Sequence, residues 1–409
     1  MSAIRIFQDK RILLGVTGSI AAYKAADLAS QLTQAGAQVN AILTAAATQF
    51  ISPLTFQSVT GQTAHTTLWG ADAPIVHVSL AETADLLVIA PATADVIAKL
   101  AHGLADDLLT VTALAARCPI LIAPAMDGGM YDHPATQANL KTLIDRGVIV
   151  IGPDEGRMAS GLTGPGRMVE PVNLLGHIRL ALSRGGPLAG RKVVVTAGAS
   201  QEALDPVRFI SNHSSGKQGF ALAQAALDRG ASVILIAGVN HLVPIVGAKE
   251  IKVRSAAEMG AAVLGECANA DVLIMAAAVA DFRPETEAEQ KIKRGGLDSY
   301  DLHLTKTIDI LAAVAEQKEK IGKPTVTVGF AAETQNVMEN AREKVVRKKL
   351  SLIVANDVTA PDSGFFVDTN RVIIIGSGGG VSELPLLSKA EVAAAVCERI
   401  ERLLVNKGW

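Results

Sequence analysis

The chain has 409 residues, of which 49% are hydrophobic and 19% are charged, and its formal net charge is −2. This is the composition of a globular protein with ample core material, and the length suggests two or three domains. No basic tract stands out and no apolar stretch reaches the ~18 residues that a membrane span needs, so we expect neither nucleic acid nor a membrane as a partner.

The first predicted elements are a strand, a tight turn, a helix and a second strand. An apolar run at residues 11–16 ends in Thr17-Gly18-Ser19, a helical stretch continues to about Ala35, and another apolar run covers residues 39–43. Gly18 and Ser19 thus precede a helix, whose first N–H groups suit one phosphate together with the serine hydroxyl. Thr44, after the second strand, offers similar chemistry. There is no GxGxxG, so a dinucleotide is not indicated.

Three further segments of the first half contain candidate site residues. His77 lies in IVHVSLAETADLLVIA, where a core histidine is the commoner interpretation of the local context. A strand ends at residues 124–126 and opens into a turn that begins with Asp127 and is able to present donors to a ligand. The turn formers of EGRMASGLTGPGRM, residues 155–168, predict a mobile flap that includes Ser160.

The second half repeats this order of elements. A strand begins at residues 192–195, a helix continues to about Arg229, and the next strand covers residues 233–236. We predict an α/β fold of two domains, residues 1–186 and 187–409, each Rossmann-like with three layers and a mostly parallel sheet. The Gly/Pro-rich stretch SRGGPLAG marks the seam. Ligands are expected beyond the C-terminal ends of the strands.

The stretch ISNHSSGKQGFALAQAAL, residues 210–227, is the most distinctive segment of the second half. A polar turn that contains Gly216 and Lys217 leads abruptly into an alanine-rich helix. The alternative is a solvated loop, but such a loop has no need to end on an apolar helix. The pattern therefore favours an anion site at the helix N-terminus.

Charged residues near the later strands extend this hypothesis. Asp281 follows a strand and suits Mg²⁺, which prefers one or two carboxylates together with phosphate oxygens. Lys291 lies in KIKR, whose alternative interpretation is a solvated charge run. Lys344 and Lys348 share one helix face, as either a surface stripe or a clamp on a triphosphate.

The motifs GVTGSIAAYK, PAMDGGM and GPGRM and the His77 segment together resemble the flavin-dependent cysteine decarboxylases. More narrowly, they resemble the decarboxylase half of the bifunctional coenzyme A biosynthesis proteins. The resemblance implies that Gly18, Ser19 and Thr44 help to hold FMN. It also implies that His77 lies against the flavin and substrate and acts in catalysis.

Two residues depart from that family's usual pattern. Where this chain has Asp127, the family commonly has an Asn that contacts the substrate carboxylate. Where this chain has Ser160, the family commonly has a flap Cys that acts as an acid. An ionised Asp127 repels a carboxylate, whereas a protonated one donates a hydrogen bond as Asn does. A serine hydroxyl is a far weaker acid than a thiol, whose ordinary pKa is about 8.5. Two outcomes stay open: another group supplies the proton, or the ligase is active while the flavin half is altered or only scaffolds assembly.

The motifs DPVRFISNHSSGK, AAAVADF, KIK, GFAAET and ANDV follow the order of the ligase half of the same family, which in bacteria uses CTP. The resemblance implies that Asn212 contacts an acyl-cytidylate intermediate, that Arg208 lies nearby and that Lys291 acts in catalysis. The residues expected to contact CTP or its metal are Ala276, Asp281, Lys291, Asp309, Ile310, Phe330, Lys344 and Lys348.

The expected function is a two-step synthesis. CTP activates 4′-phosphopantothenate, cysteine joins it, and the product is decarboxylated to 4′-phosphopantetheine. Two other interpretations are a flavin decarboxylase for a different thiol and a nucleotide sensor without catalysis. Three widely spaced cysteines without a CxxC motif, and an N-terminus without a signal peptide, predict a reduced cytoplasmic protein. The resemblance suggests a homo-oligomer with trimeric flavin halves and dimeric ligase halves.

Overall fold

The computed structural model describes residues 5–69, 75–293, 299–333, 337–357 and 367–405. The last residues of three predicted motifs, residue 294 of KIKR, Thr334 of GFAAET and residue 358 of ANDV, lie outside these ranges. The chain divides into two compact units, Met1–Ser183 and Arg184–Trp409. Within the described ranges, every helix is too short or too polar to cross a membrane.

The first unit alternates strands and helices along the chain. Its strands are β1 (Arg11–Val16), β2 (Gln38–Leu43), β3 (Leu86–Ala92), β4 (Ile120–Pro124), β5 (Ile149–Val150), β6 (Asp154–Arg157) and β7 (Thr163–Arg167). Its helices are α1 (Ala22–Gln34), α2 (Pro53–Thr60), α3 (Val76–Thr83), α4 (Ala94–His102), α5 (Leu108–Ala115), α6 (Gly128–Tyr131), α7 (Pro134–Asp145) and α8 (Pro171–Ser183), with 3₁₀ turns at Arg5–Phe7 and Ala47–Gln49.

A five-stranded parallel sheet, in the order β2-β1-β3-β4-β5, forms the centre of the first unit. Its strands are apolar on both faces because helices cover both sides. Ile12 and Leu14 belong to a cluster with α1, α2 and α8, whereas Leu13 belongs to a cluster with α4, α5 and α7. Strands β6 and β7 form a separate antiparallel hairpin, which is the predicted flap.

The second unit contains the remaining elements. Its strands are β8 (Lys192–Ala197), β9 (Gln201–Ala203), β10 (Phe209–Ser211), β11 (Ser232–Ala237), β12 (Lys249–Lys252), β13 (Val272–Met275), β14 (Phe282–Pro284), β15 (Leu304–Lys306), β16 (Val326–Glu333), β17 (Leu352–Asp357), β18 (Thr369–Asn370), β19 (Val372–Gly376), β20 (Val381–Glu383) and β21 (Leu387–Ser388). Its helices are α9 (Lys217–Leu227), α10 (Ala256–Cys267), α11 (Ile310–Ile321), α12 (Val337–Arg347) and α13 (Lys389–Leu404).

An eight-stranded sheet in the order β12-β11-β8-β13-β16-β17-β19-β20 forms the centre of the second unit. The first six strands are parallel, and β19 and β20 join antiparallel. Helix α9 lies on β8 and β11 and packs against α13. The close approach requires glycine at position 219, where a Cβ would lie 2.5 Å from the Cβ of Ala197.

The α/β prediction with mostly parallel sheets is confirmed. Both sheets are doubly wound, since the strand order reverses between β1 and β3 in the first unit and between β8 and β13 in the second. In such sheets the connections that leave the two strands at the reversal run to opposite faces of the sheet, which leaves a crevice for a ligand beyond the carboxyl ends of those strands. The fold therefore offers one crevice in each unit.

Candidate active sites

A buried threonine joins the two strand ends at each crevice. The Thr17 hydroxyl, after β1, donates to the carbonyl of Pro91 at 2.7 Å and accepts from the N–H of Thr93 at 3.1 Å. The Thr196 hydroxyl, at the end of β8, accepts from the N–H groups of Ala276 and Ala277 at 3.1 and 3.0 Å. The two units thus fix their crevices with the same side chain in the same place. The N–H of Ala276, a predicted nucleotide contact, is used in this bond.

The crevice of the first unit is a cavity of about 640 Å³. This size suits a ligand of cofactor dimensions. Gly18 and Ser19 line it at the start of α1, where the Ser19 hydroxyl accepts from the N–H of Ala21 at 3.3 Å. Asp127 and Ser160 line it from the turn after β4 and from the flap. Its other lining residues are Ile20, Ala21, Tyr23, Lys24, Phe50, Thr93, Ala94, Ala125, Met126, Met130, Arg157, Met158, Ala159, Gly166, Arg167 and Met168.

Asp127 and Ser160 are in direct contact. The Ser160 hydroxyl donates to Oδ2 of Asp127 at 2.6 Å, and the N–H of Gly129 donates to Oδ1 at 3.0 Å. These bonds, that of Ser160 first, hold the pKa of the Asp127 carboxyl below its usual range. Asp127 is therefore ionised at neutral pH when the cavity holds no other anion, which is the first of the two protonation states considered above.

Two residues predicted for the flavin site do not line this cavity. Thr44 is buried, where its N–H donates to the carbonyl of Val16 at 3.0 Å and its hydroxyl accepts from the N–H of Ala47 at 3.2 Å. His77 is half-buried on α3. The structure thus brings Gly18, Ser19, Asp127 and Ser160 together, and the roles of Thr44 and His77 stay predictions.

Sequence reasoning missed the role of Lys24. This lysine is buried on α1, and its ammonium donates to the carbonyl of Met168 at 2.9 Å and to Oε1 of Glu170 at 2.7 Å. It joins the helix after the predicted phosphate turn to the chain that follows the flap. The available signal was a lysine within the GSIAAYK motif, at a helix position surrounded by alanines.

A larger cavity of the second unit, on the β16 side of β13, holds six of the predicted nucleotide contacts. Its volume is about 510 Å³, and it lies between the carboxyl end of β13, the middle of β16 and the first residues of α11. Two cations that were not predicted, Lys306 and Arg347, line the same cavity. The predicted residues that line it are Asp281, Asp309, Ile310, Phe330, Lys344 and Lys348.

Opposite charges meet within this cavity. Asp309 is the N-cap of α11, where Oδ1 accepts from the N–H of Ala312 at 3.1 Å, and its other oxygen is paired with the Lys348 ammonium. Burial lowers the pKa of Lys348, and the charge of nearby Asp281 opposes that change. Part of the predicted triphosphate clamp is therefore engaged with a carboxylate in the structure as it stands.

A smaller cavity of about 140 Å³ adjoins the N-terminus of α9. It is lined by the predicted anion turn, residues 214–219, and by Ala276, and it shares Phe330 with the larger cavity. Gly216 is the N-cap of α9, in the left-handed region at a φ of 79°, and no side chain caps the helix. Lys389, which sequence reasoning missed, lines the cavity and is buried.

Three other predicted residues lie outside the linings of these cavities. Asn212 and Lys291 are exposed. Arg208 is held by the buried carboxylate of Asp205, whose Oδ2 accepts from the Arg208 Nε at 2.9 Å and from the N–H of Ile292 at 3.1 Å. Asp205 thus joins the predicted substrate arginine to the segment that carries Lys291.

The metal prediction rests on one carboxylate. Across the ranges that the structure covers, His, Cys, Asp and Glu form no group of three that is arranged to hold a metal ion. Asp281 lines the larger cavity, as does Asp309. This donor set fits Mg²⁺ because that ion is usually held by one or two carboxylates and by the phosphates of the substrate.

Two family models together match nearly the whole chain. One, described as "DNA/pantothenate metabolism flavoprotein C-terminal domain", matches residues 188–404, and the other, described as "Flavoprotein", matches residues 5–182. The coenzyme A biosynthesis bifunctional protein CoaBC of Vibrio cholerae is 48% identical over 394 residues, which are 96% of this chain and 98% of the relative. The CoaBC protein of Bacillus subtilis is 46% identical over 410 residues, or 98% and 99% of the two chains.

Solved structures match the two halves separately. The C-terminal domain of a CoaBC protein is 39% identical and covers 54% of this chain and 100% of its own, with a TM-score of 0.46. A PPC decarboxylase mutant complexed with pantothenoylaminoethenethiol is 34% identical and covers 42% of this chain and 98% of its own, with a TM-score of 0.39.

Proposed function

Because this chain belongs to the family of bifunctional coenzyme A biosynthesis proteins, which combine a ligase and a decarboxylase, we propose that it makes 4′-phosphopantetheine in two steps. Residues 187–409 join cysteine to 4′-phosphopantothenate at the expense of CTP. Residues 1–186 decarboxylate the product with the help of FMN. We place both reactions in the cytoplasm, in agreement with the free thiols of all three cysteines.

The ligase proposal rests on the single observation that six predicted residues line one cavity. The 4′-phosphopantothenate carboxylate attacks the α-phosphate of CTP, pyrophosphate leaves, and the cysteine amine then attacks the acyl cytidylate. Lys344 and Lys348 are suited to stabilise the charge that builds on the phosphates. Asp281 is the residue that we assign to Mg²⁺, which supplies further charge stabilisation when bound.

The neighbouring α9 cavity accounts for a second anionic group. The N–H groups of the first turn of α9 have no side-chain cap, and Ser214, Ser215 and Lys217 surround them. Such a helix N-terminus binds phosphate or carboxylate. We assign this cavity to the place where phosphopantothenate meets the nucleotide phosphates, with Asn212 and Arg208 nearby.

In the flavin half, Gly18 and Ser19 are placed to hold the FMN phosphate at the start of α1. The chemistry that FMN would supply when bound is the reversible uptake of two electrons from the substrate thiol. The chain contributes the shape of the cavity, a flap that covers it and the polar pair Asp127–Ser160. We assign His77 to the same chemistry in a site completed by a neighbouring subunit, because it lies outside the cavity lining of its own chain.

The test is product analysis with purified protein. Phosphopantothenate and cysteine are supplied with CTP or ATP, and pyrophosphate, phosphopantothenoylcysteine, CO₂ and phosphopantetheine are quantified. We expect yellow protein, pyrophosphate release with CTP, and phosphopantetheine as the final product. Colourless protein that cleaves neither nucleotide would contradict the proposal.

One alternative is favoured by a specific observation. Asp127 and Ser160 replace the usual Asn and Cys, which is compatible with an active ligase whose flavin half is altered. Release of CO₂ from supplied phosphopantothenoylcysteine distinguishes the two possibilities. If ligation proceeds and no CO₂ appears, the alternative is correct.

Lys291 is tested by a matched pair of variants. Lys291→Gln removes the charge that the resemblance assigns to catalysis, and we expect slower ligation with unchanged decarboxylation of supplied phosphopantothenoylcysteine. Lys293→Gln removes a similarly exposed charge two residues away and is the control. Equal ligation rates for the two variants would remove Lys291 from the site.

A further inference from the structure

The two residues that depart from the family pattern form one unit. The Ser160 hydroxyl on the flap donates to Asp127 in the turn after β4, and both side chains line the flavin-half cavity. A change at either position alone would leave the other without this partner. The residue that faces the substrate carboxylate and the flap residue at the position of the acid are therefore joined by one hydrogen bond in this chain.

The flap and the turn that carries Asp127 are also held together by close contacts around this pair. The N–H of Met126 donates to the carbonyl of Gly166 at 3.0 Å, and the N–H of Gly128 lies 3.1 Å from the sulfur of Met158. Gly166 has a φ of 145°, and a Cβ there would lie 2.3 Å from the carbonyl oxygen of Met126. The flap is thus docked on the Asp127 turn through its backbone as well as through Ser160.

The charges that line the cavity determine what happens when a carboxylate enters. Lys24 is engaged with Glu170, which also lies 3.5 Å from Arg167. Arg157 and Tyr23 line the cavity as well. Asp127 is its only carboxylate among the described lining residues and carries its charge at neutral pH. A second carboxylate beside it makes two like charges, and such a pair binds a proton more readily than either group alone.

We propose that substrate binding loads one proton between Asp127 and the substrate carboxylate, and that the Ser160 hydroxyl relays this proton to the carbon that loses CO₂. The inference rests on the proposed decarboxylation and identifies the acid for that step. It gives the Asp127–Ser160 pair a positive role in the reaction, where the sequence alone suggested a defect.

The step balances as a single proton transfer. When the C–C bond breaks, CO₂ leaves without the proton, and the electron pair remains on a carbon conjugated with sulfur. The Ser160 O–H proton passes to that carbon and forms a C–H bond. The Asp127 proton passes to the Ser160 oxygen, so Asp127 becomes a carboxylate again. The relay itself requires no oxidant and no reductant.

Proton uptake is measured first, without turnover. The probe is 4′-phosphopantothenoylserine, which keeps the carboxylate and lacks the thiol. It is titrated into the flavin-loaded protein at pH 7 in two buffers that differ in ionisation enthalpy. We expect uptake of about one proton per site by the unaltered protein and none by Asp127→Asn. Asp132→Asn, an exposed neighbour, is the control. Equal uptake by the unaltered protein and Asp127→Asn overturns the inference.

The relay is measured by the product of a single turnover. With Ser160→Ala, we expect CO₂ release to continue while the enethiol, two hydrogens lighter than phosphopantetheine, accumulates. Ser160→Cys restores a direct acid and should restore phosphopantetheine. Thr163→Ala removes another flap hydroxyl outside the cavity lining and is the control. Phosphopantetheine formed by Ser160→Ala at the unaltered rate, without enethiol, overturns the relay. Absence of CO₂ from the unaltered protein indicates instead that the decarboxylase proposal itself is wrong.

Discussion

At the scale of single residues, Asp205 shows how one carboxylate organises a site that it does not line. Its Oδ1 accepts from the N–H groups of Val207 and Arg208, both at 2.8 Å, while Oδ2 accepts from the Arg208 side chain and the N–H of Ile292. Arg208 in turn donates to the carbonyl of Ile292 at 2.7 Å. Two chain segments far apart in sequence are therefore held together by one side chain.

We predict that Asp205→Asn lowers ligase kcat/KM by at least about tenfold, because an amide cannot accept all of these hydrogen bonds and loses the charge that pairs with Arg208. Decarboxylation of supplied phosphopantothenoylcysteine should not change. Asp301→Asn, an exposed aspartate of the same unit, is the control. Unchanged ligation by Asp205→Asn would show that the link has no role in the site.

The same carboxylate predicts a pH dependence of stability. The Arg208 hydrogen bond holds the pKa of Asp205 far below its usual range in the folded chain. Folding therefore favours its charged form, and the stability that this charge contributes is complete above the unfolded pKa of about 3.9 and shrinks as the pH falls below it. In urea unfolding, the difference in the free energy of unfolding between the unaltered protein and Asp205→Asn should be largest at pH 7 and smaller near pH 3. A constant difference would contradict this assignment.

At the scale of secondary structure elements, the sequence predicts more about strands and helices than about the site. Period and turn residues predict β1 and β2 almost to the residue, and the repeated order of elements predicts β8 and β11, which are paired in the second sheet as β1 and β2 are in the first. Asp281, which was predicted to follow a strand, does line a cavity with five other predicted residues. The position of the Arg208 side chain depends on a hydrogen-bond network between segments far apart in the sequence. Such a network produces no periodic pattern of residues from which it could be predicted.

Lys24 ties helix α1 to the chain after the flap, and we predict that Lys24→Met destabilises the flavin half by about 2 kcal/mol. That figure is typical of hydrogen bonds to a charged group, and the partly exposed Glu170 side chain limits it. Thermal unfolding and cleavage of the flap by added protease would report the change. Lys141→Met removes an exposed pair with Asp145 and should cost about 0.5 kcal/mol or less. Equal effects of the two substitutions would contradict a special role for Lys24.

At the scale of the whole molecule, each crevice is lined by residues of one unit only. We therefore predict that the two half-reactions separate by mutation. Lys348→Gln should lower ligase kcat/KM about tenfold to hundredfold, as expected for one lost contact to a charged group, and leave decarboxylation unchanged. Lys349→Gln, whose ammonium pairs with Glu319 outside the cavity lining, is the control. Loss of both activities in Lys348→Gln would show that the halves are coupled.

The proposed sharing of the flavin site between subunits predicts complementation. His77→Asn and Asp127→Ala should each abolish the formation of phosphopantetheine when prepared alone. Mixed oligomers, formed by joint expression, should regain part of the activity, because some sites then combine an intact His77 from one chain with an intact Asp127 from another. Inactive mixed oligomers would show that His77 acts within its own chain or not at all.

The equivalent threonines Thr17 and Thr196 affect which positions of the protein can tolerate substitution. Each buried hydroxyl bonds two backbone groups at the neighbouring strand end, and these groups form the floor of the crevice. A larger or apolar side chain at either position would break both bonds. The floor therefore tolerates little variation, whereas the rims are built from turns and a hairpin. Altered versions that accept other acids or other thiols should accordingly carry their substitutions on the rims and retain both hydroxyls beneath.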